Sequence, residues 1–306
     1  MKNSKYLALR DIFIDNLYNL AKKNPKIILI TNDQGAPALD KFKKDLTKQF
    51  FNMGISEQNI IAVASGLSSQ GFIPFVYSIS SFLIYRSIEF LKIDLSYSKN
   101  PVHLFGVGSG YSYAEDGPTH HATEDLANVL SFPNFEVFNP SFPSLCNKLP
   151  NILLKKKYPT YTRLDRQSFK DTDLNLSKFI KDGFYLFKKK RDSSNCIIST
   201  GITTQNMMNY KSQVKYDLID IFSLNSFNQR KLINLLKSYR NIVIAEEHNK
   251  FNGLGVYILS MINDSNIKSK IKVIGLNKKN IFGYGSRQML HKNNKIDQAN
   301  IVKFFK

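Results

Sequence analysis

Short runs that are apolar at every position, each followed by a stretch of helical periodicity, constrain this chain more than any other feature. KIILIT (26–31) is the clearest such run, and 50–53, 72–79, 102–107, 135–138 and 160–164 read as strands of the same kind although Asn52, Glu136 and Arg163 interrupt their apolar character. Leu9, Ile12, Phe13, Leu17 and Leu20 recur at helical spacing, which predicts an amphipathic helix over 7–23, stopped by Asn24-Pro25. Further helices are expected over 55–69, 82–97 and 143–156. Strands without a polar face, alternating with helices, belong in a parallel sheet covered on both sides. The polar stretch 167–182 reads as a linker, after which a smaller alternation begins, with strands at 196–199, 218–222, 242–245 and 272–274 and helices near 205–211, 229–239 and 255–262. The expected fold class is α/β, two parallel-sheet α/β domains at 1–174 and 175–306, and 306 residues suffice for two cores.

The net charge of +19 raises the question of nucleic acid. The basic runs, 155–157 and 188–191, are short and lack the interleaved aromatics of a single-strand binding face, so a basic surface suited to phosphorylated substrates is the milder reading. Two cysteines far apart, Cys146 and Cys196, support neither a disulfide framework nor a cysteine metal site and fit a reducing cytoplasm. No charged residue occurs from Gln58 to Tyr85, but Gly66, Ser68, Gly71 and Pro74 divide that run into helix, turn and strand rather than one membrane span. Asp11 and Asp15 interrupt the first apolar pattern, so no signal peptide is expected.

Ligands of open α/β sheets sit beyond the carboxyl ends of the strands. Asp33, Glu57 and Gly108 each fall just after an expected strand and share one rim. In FFNMGISEQN the strand turns through Gly54 into a helix with Ser56 at its N-cap, which puts Glu57 in the first turn. Taken singly these signals are weak: a first-turn Glu is favoured by the helix dipole whatever its role, and Phe82 and Tyr85, three apart on one face, suit core packing. Asp116-Gly117-Pro118 is a common turn, followed by His120, His121 and a helix capped near Thr123.

Order and spacing gain meaning by comparison. FNMGISEQN, SFLIYRSIEF, EDGPTHHATEDLA and IVIAEEHNKFNGLG together resemble the C-terminal half of transketolase, as it occurs in a separate subunit of split transketolases. The resemblance implies a thiamin diphosphate pyrimidine-binding domain followed by a transketolase C-terminal-type domain. It implies that Glu57 bonds the pyrimidine nitrogen and activates the cofactor, with Phe82 and Tyr85 stacking on the ring and Asp33 near the cofactor at the subunit boundary. His120 would contact the ketose oxygens by the reacting carbon, Asp116 a sugar hydroxyl, and Arg166 the substrate phosphate, with Arg163 the second choice and Arg10 another phosphate contact. The implied activity is transfer of a two-carbon ketol unit from a ketose to an aldose.

Three departures stand out: Gly108 where the family often has histidine, Ile88 in place of a third stacking aromatic, and Ala36-Pro37 where a phosphate-binding serine is usual. No Gly-Asp-Gly motif occurs, so the resemblance places the magnesium ligands and the diphosphate-binding domain on a partner subunit and none in this chain. A heterotetramer of two copies of each subunit, with homodimer contacts, is the expected assembly. The other readings are a 2-oxoacid dehydrogenase β-type subunit, a deoxyxylulose phosphate synthase relative, or a non-catalytic partner subunit.

Overall fold

The computed structural model describes residues 6–187, 193–263, 265–279 and 284–306, so the basic run 188–191 lies outside it. After β1 (Tyr6–Ala8) and a helix Leu9–Ala21, the strands β2 (Ile27–Thr31), β3 (Phe50–Asn52), β4 (Ile73–Ile79), β5 (His103–Val107), β6 (Glu136–Phe138) and β7 (Thr160–Leu164) build one sheet. Its order is β3-β2-β4-β5-β7-β6 and every neighbour is parallel. β2, β5 and β7 are buried at all five positions, as strands covered on both faces require. The register is level at the carboxyl rim, where Thr31 lies opposite Asn52 and Tyr77, and Val107 opposite Ile79 and Leu164.

The stretch expected as a linker is ordered instead. β8 (Ser168–Lys170) pairs antiparallel with β1, and a helix follows at Leu176–Asp182. That helix buries Phe179, whose ring meets Phe222 edge-on at 5.0 Å, with Leu176 and Ile180 partly buried beside it; the polar residues around them hid the helix from a periodicity argument. A second sheet contains β9 (Phe184–Phe187), β10 (Asn195–Ser199), β11 (Asp217–Ile221), β12 (Asn241–Asn249) and β13 (Lys270–Leu276), in the order β13-β12-β10-β11-β9. Its neighbours are parallel except β9, which closes the edge antiparallel to β11. Both domains are therefore α/β with parallel sheets, the second carrying one antiparallel edge strand.

The helix expected over 82–97 is broken. It runs Ser80–Tyr85, leaves helical geometry at Ser87 (φ −116°, ψ 13°), resumes at Ile88–Phe90 and finishes with the wider π-helical turns of Leu91–Tyr97. The two sheets share their cores. One apolar cluster joins Val137 and Tyr161 of the first to Phe184, Ile221 and Leu224 of the second, and another joins Phe138, Phe142 and Leu164 to Phe179 and Phe222. Backbone bonds cross the same boundary, from Asn139 N–H to the Phe222 carbonyl (2.8 Å) and from Leu224 N–H to the Val137 carbonyl (2.8 Å).

Candidate functional site

β3 ends at Asn52, and the chain turns through Gly54, whose φ of +70° is a conformation that favours glycine. The next helix begins at Glu57 (Glu57–Ser69), which places its carboxylate in the first turn, where the helix dipole favours an anion. Ser56 does not cap this helix: its hydroxyl donates backwards to the Met53 carbonyl at 2.8 Å. Thr123 likewise bonds the Glu124 carboxylate at 2.8 Å rather than capping the helix that starts at Asp125.

Glu57 is only 5 % exposed. One oxygen accepts a hydrogen bond of 2.8 Å from Arg86, whose guanidinium carbon lies 4.1 Å from the centre of the Phe82 ring. A flat, hydrogen-bond-donating cation is thus held between a buried carboxylate and an aromatic face, the environment that suits a planar nitrogen heterocycle. Phe82 continues edge-on to the His120 ring at 4.9 Å. Tyr85, 37 % exposed, turns away from this group and exchanges bonds with Glu124, its hydroxyl donating to the carboxylate (3.2 Å) and accepting from the backbone N–H (3.1 Å). Ile88 is exposed. Asp33 is exposed on the same rim, accepting a long bond from Asn52 Nδ2 at 3.3 Å.

Beyond β5 the backbone at Gly108 takes φ +101°, and the space above it belongs to the Tyr113 ring, which a Cβ at position 108 would meet at 2.4 Å. Tyr113 links the two ends of the loop's chemistry. Its ring centre lies 5.7 Å from that of His120 on one side, and the Arg166 guanidinium lies 4.9 Å from it on the other. Arg166 is half exposed, its Nη1 3.6 Å from the Asp116 carboxylate, and it borders an open cleft of about 330 Å³ with Ser112, Gln167, Ser286 and Arg287. Arg10 reaches the same quarter from the first helix: its Nε donates to Asp11 at 2.7 Å, and its charge acts on Tyr77 and Tyr113. Burial pushes the Tyr113 hydroxyl up, against the pull of Arg166 and Arg10.

Arg163 needs correction. It is 3 % exposed and gripped by Asp125 at 2.6 and 3.0 Å and by the Ala122 carbonyl at 3.1 Å, so it holds the interior and is closed to a ligand. Three residues along, beyond the end of β7, Arg166 is half exposed, and the Asp116 carboxylate it meets at 3.6 Å is exposed as well. Tyr161 also donates to Asp125 at 2.8 Å, and His248 accepts from the Leu126 N–H at 3.2 Å. Burial lowers His248 to about 4, which keeps it a neutral acceptor beside Arg163.

A second buried knot joins the two sheets. Arg287 donates to Asp165 Oδ1 at 3.0 Å and to both oxygens of Glu247, which also takes the His291 ring and the Tyr111 N–H at 3.1 Å. Burial alone would raise Glu247, but Arg287 and His291 overrule it and hold the carboxyl well below its usual range. Arg86, Tyr113 and Arg287 were missed by sequence reasoning. Arg86 had one usable signal, its spacing four residues after Phe82 on a helical face. Among the described residues no group of three or more His, Cys, Asp or Glu is arranged to hold a metal ion, and no helix is long and apolar enough to cross a membrane.

Comparison with known proteins puts this geometry in a family. Residues 5–171 match the transketolase pyrimidine-binding domain and residues 187–301 the transketolase C-terminal domain. The chain is 27% identical over 308 residues to one subunit of the apulose-4-phosphate transketolase of Phocaeicola vulgatus, covering 97% of this chain and 96% of that one. It is 25% identical over 295 residues to the 1-deoxy-D-xylulose-5-phosphate synthase of Clostridium acetobutylicum, covering 94% of this chain but 47% of that enzyme. The solved structure of a split gene transketolase, an inactive beta4 tetramer, superposes with a TM-score of 0.84 at 26% identity, over 97% of this chain and 96% of that one. With both domain matches in sequence order and more than half the chain inside the first, this protein belongs to the transketolase family.

Proposed function

We propose that this chain is the pyrimidine-binding and C-terminal subunit of a thiamin diphosphate-dependent transketolase, transferring a two-carbon ketol unit from a ketose phosphate to an aldose. The observation that carries the reading is the buried Glu57 carboxylate at the start of its helix, holding a planar donor against Phe82. The same pair suits the aminopyrimidine ring of thiamin diphosphate, which supplies a carbon nucleophile when bound. Glu57 offers a fixed acceptor to a ring nitrogen, Phe82 offers the face, and Tyr85 is committed to Glu124 unless it rotates. Asp33 stands at the rim where a second chain would close the site.

On the sugar side, His120 presents its ring beside Phe82, with Nδ1 3.0 Å from the Thr119 hydroxyl, and is placed to hold a proton or hydrogen bond at a carbonyl or hydroxyl oxygen. Asp116 accepts from a sugar hydroxyl. Arg166 and Arg10 supply positive charge for a phosphate, a role a guanidinium fills through paired donors. The partner, an amino-terminal-half subunit, brings the diphosphate site and magnesium, and a heterotetramer with homodimer contacts is the assembly proposed. The Phocaeicola vulgatus relative is itself named as a subunit, which supports an enzyme of more than one kind of chain, and apulose 4-phosphate, after which that enzyme is named, is the first donor to test.

The decisive experiment is Glu57→Gln in the reconstituted pair. Ketol transfer is expected to fall at least 100-fold with the melting temperature of the subunit unchanged, since the amide keeps the volume and loses the anionic acceptor. Wild-type turnover by the Gln variant would end the proposal. Pyruvate with a triose phosphate, run in parallel, separates transketolase from a deoxyxylulose phosphate synthase activity.

A further inference from the structure

We propose that Tyr113 is the specificity-determining residue of the sugar site, contacting the middle of the bound sugar phosphate; this rests on the ketol-transfer reading above. Its ring is wedged between the two groups assigned to opposite ends of the substrate, His120 at 5.7 Å and the Arg166 guanidinium at 4.9 Å. A substrate that runs from His120 to Arg166 therefore passes over residue 113. The position is fixed from below as well. Gly108 leaves the rim of β5 at φ +101°, and the ring of Tyr113 fills the volume where a side chain on 108 would stand, 2.4 Å from a Cβ built there. Side chains at 108 and 113 exclude one another, so this chain has placed its one bulky group at this point on the loop rather than on the strand end.

The chemistry of the side chain agrees with a ligand contact. Tyr113 is half-buried, and its hydroxyl has no hydrogen-bond partner among the described residues, in contrast to the hydroxyls of Tyr18, Tyr85, Tyr161 and Tyr239, each of which meets a carboxylate. Burial, Asp116 and Asp165 push the phenol up against the pull of Arg166 and Arg10, so it stays a neutral donor beside the Arg166 guanidinium. That combination selects an anionic, polyhydroxylated chain. The phosphate is drawn by the arginines, one mid-chain hydroxyl meets the phenol, and the ring limits what can branch from the carbon that carries that hydroxyl. Glu115 and Asp116 on the same loop oppose a second phosphate close by.

Tyr113→Phe and Tyr113→Ala, in the complex with the partner subunit, test this against a panel of ketose phosphates that differ in length and in mid-chain stereochemistry. The Phe variant keeps the wedge and loses the donor: KM for the preferred donor should rise about tenfold with kcat, cofactor affinity and melting temperature held, the loss of one neutral hydrogen bond. The Ala variant opens the space over Gly108 and should narrow the ratio of kcat/KM between preferred and disfavoured ketoses at least tenfold. Unchanged KM and an unchanged ranking in both variants would overturn the proposal, as would a uniform loss across the panel accompanied by a lower melting temperature. A wild-type complex that transfers no ketol unit from any ketose would instead overturn the enzyme assignment itself, which keeps the two failures distinct.

Discussion

At Glu57 the chain offers its carboxylate to its own arginine. Arg86 bonds it at 2.8 Å and lies on the Phe82 face at 4.1 Å, the two contacts proposed for the cofactor ring. A group that fills the place of a ligand competes with it. A half-exposed ion pair and a cation–π contact are each worth about 0.5–1 kcal/mol, so Arg86→Ala should tighten thiamin diphosphate binding to the reconstituted complex by about fivefold to thirtyfold in a calorimetric titration. Weaker binding would mean that Arg86 stays with the ring and helps to hold it. The neighbouring arginines show what sequence can resolve at this scale. Arg163 and Arg166 are three apart in YTRLDRQ, and nothing in that spacing says that the first is buried on Asp125 while the second is half exposed. The partner that decides, Asp125, lies 38 residues earlier in the chain.

Among the elements, β2 and β5 were legible because strands buried on both faces are written mostly in apolar residues, whereas β7, equally buried, carries Arg163, which Asp125 satisfies. Short elements set among polar residues, or held by a partner strand, were not legible. β1 and β8 are three residues each and exist through their pairing, β9 is an edge strand, and the helix Leu176–Asp182 rests on Phe179. The break at Ser87 and the π-helical turns at Leu91–Tyr97 escaped for a similar reason, since the apolar pattern through 82–97 is continuous.

β11 carries a testable charge. Asp220 is fully buried and accepts from Ser141 across the domain boundary (2.6 Å) and from Thr204 (2.5 Å), and burial pushes its carboxyl up to about 7. The folded pKa lies above the unfolded one, so the native state binds the extra proton between about pH 4 and 7. This group's contribution is complete below that window and lost as pH rises through it. Asp220→Asn keeps an acceptor for both hydroxyls and does not ionise. The unfolding free energy of the wild type minus that of the variant should therefore fall by a few kcal/mol from pH 4 to pH 8, measured by urea denaturation. Comparing the two proteins cancels the buried histidines His103 and His248, which titrate in both. A difference that stays flat with pH would show that Asp220 is ionised throughout.

Across the whole molecule the two sheets are joined by charge as well as by apolar packing. Arg287 of the second domain neutralises Glu247 and, across the boundary, Asp165, all three nearly out of water. Removing it strands two buried carboxylates, which costs about 3–5 kcal/mol, so Arg287→Ala should lower the urea midpoint sharply and bring one sheet to unfold ahead of the other. A single transition with an unchanged midpoint would show that the apolar contacts alone bind the halves. The fold at this scale follows from the alternation of strands and helices, whereas the joint between the sheets was not readable, because the residues that make it, Asp165, Glu247 and Arg287, are each ordinary in their own segment.

The clusters that run unbroken from Tyr161 to Leu224 and from Phe142 to Phe179 carry one more consequence. Dividing a polypeptide at a buried seam exposes apolar surface on both pieces. The seam between these two sheets is largely out of water, so a cut there would leave two fragments each with an apolar face to cover.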